Sequence, residues 1–259
     1  MNNIKYFPLI HPSEKYVDIK NSIRSNTDKV DFLTSDIERA DCILVLWWDG
    51  YMLESIKKYA DYNKPFIGIN CGTLWFLMNN ISDIHDLPKT IDKRDILRAK
   101  FIKAKIWFEN GDSVVWYAAN DICIWNSLFD YYNLSIEPQT WDRIDLKWTW
   151  VVISNNFWST SYRLSLWWPL IPTSSDLLGI IWVWSLPFRF KLYKPQDIKI
   201  NIDGKSKCKA AFDWHGLVYD DVKYIQILPS DKTYDIWFLH TNHIENKRVL
   251  MTEMKIWSN

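Results

Sequence analysis

The segment that most constrains the fold is a strand–helix–strand pattern in the first third of the chain. Residues 42–46 form a continuous apolar run, typical of a strand that is buried on both faces of a parallel sheet. Apolar residues then recur at helical spacing over 52–60, and 65–69 form the next apolar run. This order predicts a βαβ unit, whose ligands bind at the carboxyl ends of the strands. Asp49 and Asn70 are expected at that edge.

After about residue 95 the pattern changes to short apolar or alternating runs separated by turn signals such as Asn110-Gly111-Asp112. These runs predict a mostly antiparallel β structure. The fold class is therefore expected to be α+β with two domains. The first is an α/β, Rossmann-like domain over residues 1–95, with a tail at 242–259 that returns to it. The second is a mostly antiparallel β domain over residues 96–241.

Individual elements are also predicted. A strand is expected over Ile4 to Ile10, a helix capped by Ser13 through about Ser25, and a weak strand over Val30 to Leu33. In the second domain, the predicted strands lie at 101–108, 113–117, 121–125, 151–154, 179–184, 197–202 and 222–228.

Charge and targeting signals exclude several classes of protein. The 259 residues carry 31 basic and 31 acidic side chains, so electrostatics gives no reason to expect a nucleic-acid or membrane partner. The N-terminus lacks the pattern of a signal peptide. The longest nearly uncharged stretch, 164–188, contains an aspartate and three prolines, which disfavours a membrane span. The four cysteines lack CxxC spacing and predict neither zinc nor disulfides. We expect a cytoplasmic protein.

The composition contains one abnormal pair of numbers. The chain has 17 Trp and only 7 Gly, whereas average usage of about 7% would give roughly 18 glycines. Many tryptophans stand beside turn-forming residues, as in Trp47-Trp48-Asp49-Gly50 and Trp167-Trp168-Pro169. Tight turns, positive φ and close approach of the backbone to a ligand are positions that favour glycine.

Two interpretations of these tryptophans remain open. Some bacterial lineages read the UGA codon as glycine, so glycines of the source organism are rendered as Trp when the standard code is applied. The other interpretation is a truly Trp-rich protein, such as a sugar-binding surface built from aromatic platforms. The positions of the tryptophans, as well as their number, favour the first interpretation.

With the suspect tryptophans read as glycine, the chain resembles the NAD kinase family. Residues 46–53 become L-G-G-D-G-Y-M-L, and 68–77 become G-I-N-C-G-T-L-G-F-L. Asn120-Asp121 is similar to the family's Asn–acidic pair, 158–162 become G-S-T-S-Y, and 165–172 become S-L-G-G-P-L-I-P. The order and spacing of these motifs match the family across roughly residues 40–215.

The resemblance implies a reaction and the groups that perform it. ATP (or polyphosphate) with Mg²⁺ would deliver a γ-phosphoryl group to the 2′-hydroxyl of the adenosine ribose of NAD, and Asp49 would act as the general base. No residue is assigned as a metal ligand. A glycine pair before a helix lets backbone N–H groups surround phosphate oxygens. Family members are homo-oligomers, so a homodimer or homotetramer is expected. The resemblance implies that residues 1–95 are the nucleotide-binding domain and that residues 96–241 are the NAD-binding and oligomerisation domain, with NAD bound in the crevice between them.

The resemblance also implies two sets of binding residues. The phosphate-loop set is Trp47, Trp48, Gly50, Asn70 and Gly72. The NAD-binding set is Asp49, Gly50, Asn120, Asp121, Lys147, Thr149, Phe157, Thr160, Ser161, Tyr162, Arg163, Leu164, Ser165 and His215.

Three positions depart from the family pattern. Tyr51 stands where Thr or Asn is usual, Thr149 stands where Asp is common, and Asn155-Asn156-Phe157 replaces the usual Thr-Pro-Thr. These departures bear on affinity more than on the type of reaction. The alternatives are a lipid kinase that shares the GGDG-like loop and a non-catalytic NAD-binding protein.

Overall fold

The computed structural model describes most of the chain. The described residues are 4–12, 32–70, 76–81, 86–87, 95–126, 132–140, 142–148, 150–156, 171–172, 175–183, 189–203, 208–213, 218–240, 243 and 246. The helix predicted at 13–25 lies outside them, as does nearly all of the predicted tail at 242–259.

The described residues form mostly β-sheet with few helices. The strands are β1 (Tyr6–Ile10), β2 (Cys42–Trp47), β3 (Phe66–Asn70), β4 (Asp95–Lys100), β5 (Ile102–Phe108), β6 (Ser113–Ala118), β7 (Asp121–Asn126), β8 (Tyr132–Pro138), β9 (Ile144–Trp148), β10 (Trp150–Ser154), β11 (Leu178–Val183), β12 (Arg189–Tyr193), β13 (Ile198–Asp203), β14 (Cys208–Phe212), β15 (Val218–Tyr219), β16 (Val222–Leu228) and β17 (Thr233–Phe238). Helix α1 spans Asp49–Tyr59, and a 3-10 turn follows at Ala60–Tyr62.

The chain divides into two compact units, residues 1–99 with 234–259 and residues 100–233. The first unit contains a sheet of strand order β1-β2-β3-β17-β4. The pairs β1–β2, β2–β3 and β3–β17 are parallel. Every residue of β2 is buried, as the continuous apolar run at 42–46 predicts. Leu33, in the segment predicted as a weak strand, makes an isolated parallel bridge to Tyr6.

Helix α1 connects β2 to β3 and buries one face. Its buried side chains include Met52, Leu53 and Ile56, which the apolar spacing identifies. Asp49 lies in the first turn, and Lys57 and Lys58 lie in the last turn, so the charges at both ends favour the helix dipole.

The second unit contains two six-stranded sheets. Their strand orders are β12-β11-β10-β7-β14-β15 and β6-β5-β16-β13-β8-β9. All the strand pairs identified within them are antiparallel. Their core is rich in isoleucine, including Ile106, Ile124, Ile153, Ile200 and Ile225, because β-branched side chains pack well on a pleated surface.

Several strands have no counterpart among the sequence predictions, notably β9, β12 and β17. In β9 and β12, charged residues interrupt the apolar pattern, as in I-D-L-K-W and R-F-K-L-Y. Strand β17 does alternate, because Tyr234, Ile236 and Phe238 are buried and the residues between them are only partly buried. Its return to the first sheet depends on pairing with β3, which local sequence does not reveal.

A buried asparagine joins β3 and β17, two neighbouring inner strands of the first sheet. Asn79 is fully buried, and its Nδ2 donates to the carbonyls of Gly68 (2.9 Å) and Trp237 (3.2 Å). Its Oδ1 accepts from the N–H of Leu239 at 2.8 Å. Gly68 allows this close approach, because a Cβ there would lie 2.5 Å from Sδ of Met78. The segment that carries Asn79 is thereby fixed against both strands.

We predict that Asn79→Ala lowers the free energy of unfolding by about 2–4 kcal/mol, because it leaves the N–H of Leu239 without its buried acceptor and removes the side-chain donor from the carbonyls of Gly68 and Trp237. Denaturant titration followed by circular dichroism measures this change. The matched control is Asn80→Ala, which removes an exposed side chain from the same segment. Equal stability of the two variants would contradict the role assigned to Asn79.

Candidate functional site

Asp49 occupies the first turn of α1, immediately after the carboxyl end of β2. Its Oδ2 accepts from the backbone N–H of Phe76 and its Oδ1 from that of Leu77, each at 2.8 Å. The carboxylate therefore links two of the segments that the sequence singles out, 46–53 and 68–77.

Asn70 lies at the same edge of the sheet as Asp49. It is the last residue of β3 and pairs with Trp47 of β2. Its Nδ2 donates to Oδ1 of Asn80 at 2.8 Å, and its backbone N–H donates to the carbonyl of Asn79. The polar end of β3 is thus joined to the segment that also holds Asp49.

Aromatic rings cluster where α1 begins. The Trp47 indole is buried and stacks on His11, with ring centroids 5.0 Å apart. Tyr51 meets His11 edge-on at 5.0 Å. Burial, together with Tyr59 and Glu54, raises the pKa of Tyr51. Trp48 is 43% exposed.

Trp48 also restricts the space beside Gly50. Its indole Nε1 lies 2.9 Å from the point where a Cβ on Gly50 would stand. Two indoles therefore occupy the region in which the resemblance implies a bare glycine backbone.

The backbone of the described tryptophans does not require glycine. The described non-glycine residues with positive φ are Asn63, Asp213 and Asp221, and none is a tryptophan. Trp48 has an extended backbone, with φ −135° and ψ 173°. Positive φ is therefore not the reason for glycine at any tryptophan that the structure describes, and many of these tryptophans lie in strands. The remaining argument for glycine at positions 47 and 48 is the bulk of the two indoles beside the N-terminus of α1.

The Asn120-Asp121 pair lies in the second unit, at the start of β7. Asn120 is buried, and its Nδ2 donates to Oδ2 of Asp121 at 3.1 Å. Its Oδ1 is also buried and finds no hydrogen-bond partner among the residues that the structure describes. A buried acceptor left unpaired costs about 1–3 kcal/mol. A ligand that donates a hydrogen to Asn120 would recover that cost.

Two residues that the sequence-based site does not include hold this turn. Asp213 accepts hydrogen bonds from the backbone of 119–121, and Asn155 donates to the carbonyl of Ala119. The signal for Asp213 is its place directly before Trp214-His215, and the signal for Asn155 is its departure from the family pattern. Neither signal indicates contact with Asn120.

The remaining predicted residues divide into two groups. Lys147 is exposed in β9. Strand β9 belongs to one of the two six-stranded sheets, and β7, which carries Asp121, belongs to the other. Outside the described residues lie Gly72, Thr149, Phe157, Thr160, Ser161, Tyr162, Arg163, Leu164, Ser165 and His215.

Two buried cysteines of the second unit lie where the charged form of a thiol is disfavoured. Cys123 and Cys208 are free and buried. Burial raises the pKa of Cys123 well above its ordinary value, and the nearby Asp121 and Asp213 carboxylates add to the effect. Burial and Glu109 raise the pKa of Cys208 to about 12. Both thiols are therefore protonated at neutral pH and are poor nucleophiles.

Two features are absent from the residues that the structure describes. In this part of the chain, no group of three or more His, Cys, Asp or Glu side chains is arranged to hold a metal ion. No helix in it has the length and apolar character needed to cross a membrane.

The sequence is similar to curated NAD kinases. It is 29% identical to the NAD kinase of Xylella fastidiosa over 145 residues, 56% of this chain and 55% of the relative. It is 28% identical to that of Caldicellulosiruptor saccharolyticus over 172 residues, 61% of this chain and 62% of the relative. The chain thus spans about half the length of the curated relatives it matches. No family model matches it.

Solved structures of NAD kinases share the fold. Yeast NADH kinase, solved with NADH, superposes with a TM-score of 0.70 at 17% identity, covering 95% of this chain and 88% of that one. The NAD kinase of Archaeoglobus fulgidus, solved with ATP, gives 0.70 at 16% identity, covering 95% and 99%. The mostly β architecture is therefore that of NAD kinase structures.

We predict that iodoacetamide at pH 8.5 leaves Cys123 and Cys208 unmodified in the folded protein, because both pKa values are raised above this pH and both thiols are buried. Peptide mass mapping after alkylation measures the outcome at each cysteine. The same mapping in 6 M guanidinium, about the concentration that unfolds even hyperstable domains, is the control and is expected to detect both adducts. Equal labelling under both conditions would disprove the burial of these thiols.

Proposed function

We propose that this chain is an NAD kinase. It transfers the γ-phosphoryl group of ATP, or of polyphosphate, to the 2′-hydroxyl of the adenosine ribose of NAD and forms NADP. The observation that carries the proposal is the Asp49 carboxylate, which the backbone N–H groups of Phe76 and Leu77 hold at the edge of the first sheet. Sequence similarity to NAD kinases over more than half of the chain supports the same activity.

Asp49 serves as the general base in this proposal. Its carboxylate accepts the proton of the ribose 2′-hydroxyl as the ribose oxygen bonds to the γ-phosphorus and the bond to the leaving ADP breaks. The two backbone N–H groups fix the direction of the carboxylate. A fixed carboxylate needs little reorganisation when the hydroxyl arrives, and this lowers the barrier.

The donor binds through its phosphates at the phosphate-loop set carried over from the family resemblance, which is Trp47, Trp48, Gly50, Asn70 and Gly72. The N-terminus of α1 begins at Asp49, directly after Trp48, and favours anions. We propose Mg²⁺ as the divalent cation, carried on the donor phosphates, since Mg²⁺ usually binds through substrate phosphates and keeps several waters. When bound, it neutralises phosphate charge.

Asn120 and Asp121 bind NAD in this proposal. The buried Oδ1 of Asn120 matches a hydrogen donor such as a ribose hydroxyl or the nicotinamide carboxamide. The other NAD-binding residues are carried over from the family resemblance: Gly50, Lys147, Thr149, Phe157, Thr160, Ser161, Tyr162, Arg163, Leu164, Ser165 and His215.

Further properties belong to the same proposal. The first unit is Rossmann-like α/β, which its parallel pairs and the β2–α1–β3 connection support. The proposed domains keep the bounds that the sequence predicts, 1–95 with 242–259 and 96–241, whereas the compact units have bounds of 1–99 with 234–259 and 100–233. The protein is cytoplasmic and forms a homodimer or homotetramer. The matches reported above are NAD or NADH kinases, so they give no support to a lipid kinase or to a non-catalytic protein.

We predict that Asp49→Asn, made in a chain with glycine at 47, 48, 75, 148, 150, 158, 167, 168 and 214, lowers NADP formation from NAD, ATP and Mg²⁺ by about 10²- to 10⁴-fold, because the amide cannot accept the ribose proton. A coupled NADP assay measures turnover, and calorimetry measures NAD binding. The control is Asp61→Asn, an exposed carboxylate just beyond α1. Unchanged turnover in a folded Asp49→Asn protein that binds NAD would exclude Asp49 as the base.

We also predict that NADP forms only when glycine replaces Trp at 47, 48, 75, 148, 150, 158, 167, 168 and 214, because indoles at the start of α1 obstruct phosphate approach. The measurement compares this variant with the chain as written, both checked for folding. NADP formation by both proteins would support the proposed kinase activity and reject the interpretation of these tryptophans as glycines. A folded glycine variant that binds NAD without turnover would favour the non-catalytic alternative.

A further inference from the structure

We propose that Asp213 and Asn155 are positioning residues, which together fix the backbone turn at 119–121 and thereby set the affinity for NAD. The inference rests on the proposed function, because it takes Asn120 as a group that contacts NAD. Both residues act through the turn and do not themselves take part in phosphoryl transfer.

Strand topology brings the two residues to this turn. Strand β7 starts at Asp121 and lies between β10 and β14, antiparallel to both. Ser154, the last residue of β10, pairs with Asp121, and Phe212, the last residue of β14, pairs with Ile122. The residues that follow these two strands, Asn155 and Asp213, therefore flank the turn that leads into β7.

Asp213 binds the N–H side of the turn. Its Oδ1 accepts from the N–H of Asn120 at 2.6 Å and from that of Asp121 at 3.3 Å. Its Oδ2 accepts from the N–H of Ala119 at 3.2 Å, and its own N–H donates to the carbonyl of Asp121 at 2.9 Å. Asp213 is 3% exposed, and a buried carboxylate is tolerated only when such donors surround it.

The backbone of Asp213 also favours this residue type. Its φ is +54°, in the left-handed region that Asp and Asn enter more readily than most other residues. The conformation aims the side chain back at the turn. A single short carboxylate thus satisfies both the backbone requirement and the three N–H groups.

Asn155 binds the carbonyl side of the turn. Its Nδ2 donates to the carbonyl of Ala119 at 2.9 Å and to that of Lys100 at 3.2 Å. The side chain is buried. The family resemblance implies Thr at this position, and a Thr hydroxyl has one hydrogen to donate whereas a carboxamide has two. The departure from the family pattern therefore permits a bridge between two carbonyls.

The two contacts together control how Asn120 is presented. The turn is held on its N–H side by Asp213 and on its carbonyl side by Asn155, so the backbone of Asn120 has little freedom. Its side chain is further oriented by the bond to Asp121, and its buried Oδ1 stays available to a ligand. None of these bonds involves Asp49. Loosening the turn should weaken NAD binding and spare turnover at saturating NAD.

Asp213→Asn and Asn155→Thr are each made in the full chain and compared with their parent. The parent is the protein that binds NAD, either the chain as written or the chain with glycine at the tryptophan positions given above. The control is Asp221→Asn, which has the same left-handed backbone (φ +55°) in the same unit but whose side chain is outside this set of bonds. Calorimetry measures the Kd for NAD, steady-state kinetics separates KM for each substrate from kcat, and thermal melting reports folding.

We expect Asp213→Asn to raise the Kd and KM for NAD by about 10- to 100-fold, because hydrogen bonds to a charged group are lost. Asn155→Thr should raise both by about 3- to 10-fold, since one of two neutral hydrogen bonds is lost. KM for ATP, kcat and the behaviour of the control should stay within about twofold of the parent values.

Two results would overturn the proposal. One is an unchanged Kd for NAD in folded Asp213→Asn, and the other is an equal loss of affinity for ATP and NAD, which would indicate a purely structural role. If Asp213→Asn fails to fold, Asn155→Thr decides by the same criteria. A parent chain that binds NAD without forming NADP would contradict the proposed kinase activity but not the positioning role. The Kd values for NAD of the variants would still test that role. A parent that binds no NAD would reject both proposals.

Discussion

The first unit depends on how closely one short segment, residues 76–80, packs against the parallel sheet. Gly68 has no Cβ, so the segment can approach β3, and Asn79 then bonds to β3 and to the chain at the end of β17. The same segment supplies the two N–H groups that hold Asp49. A buried amide that stabilises the sheet thus also determines where the candidate base lies.

In the second unit, hydrogen bonds between a carboxylate and backbone N–H groups also fix a local conformation, but the two partners exchange roles. In the first unit, backbone N–H groups orient a carboxylate that is proposed to react. Near β7, a carboxylate orients backbone N–H groups, and the residue carried by that backbone is proposed to bind the ligand. In both places a charged hydrogen bond fixes geometry, because a buried or half-buried carboxylate without donors would be costly.

Local sequence was sufficient for the parts of the fold that depend on periodicity. The apolar run at 42–46, the helical spacing over 52–60 and most of the predicted β runs of the second unit correspond to observed elements. Asp49 could be singled out because Asp between a buried strand and a helix is a local pattern. Asp213 and Asn155 could not, because their roles arise from strand neighbours more than 30 residues away in sequence. In β9 and β12, charged residues alternate with apolar ones, so the local sequence does not indicate a strand. Only pairing with neighbouring strands defines these two elements.

The position of β17 has a consequence for the order in which the chain acquires structure. β17 lies between β3 and β4, yet it is made after the whole of residues 100–233. During synthesis, the emerging first unit therefore has an unpaired edge on β3, and the bonds of Asn79 to Trp237 and Leu239 cannot form. The second unit is continuous and meets no such delay. The sheet of the first unit, with its candidate base, can therefore be completed only after residues 100–233 have been made, whereas the second unit has all its strands as soon as residue 233 has emerged.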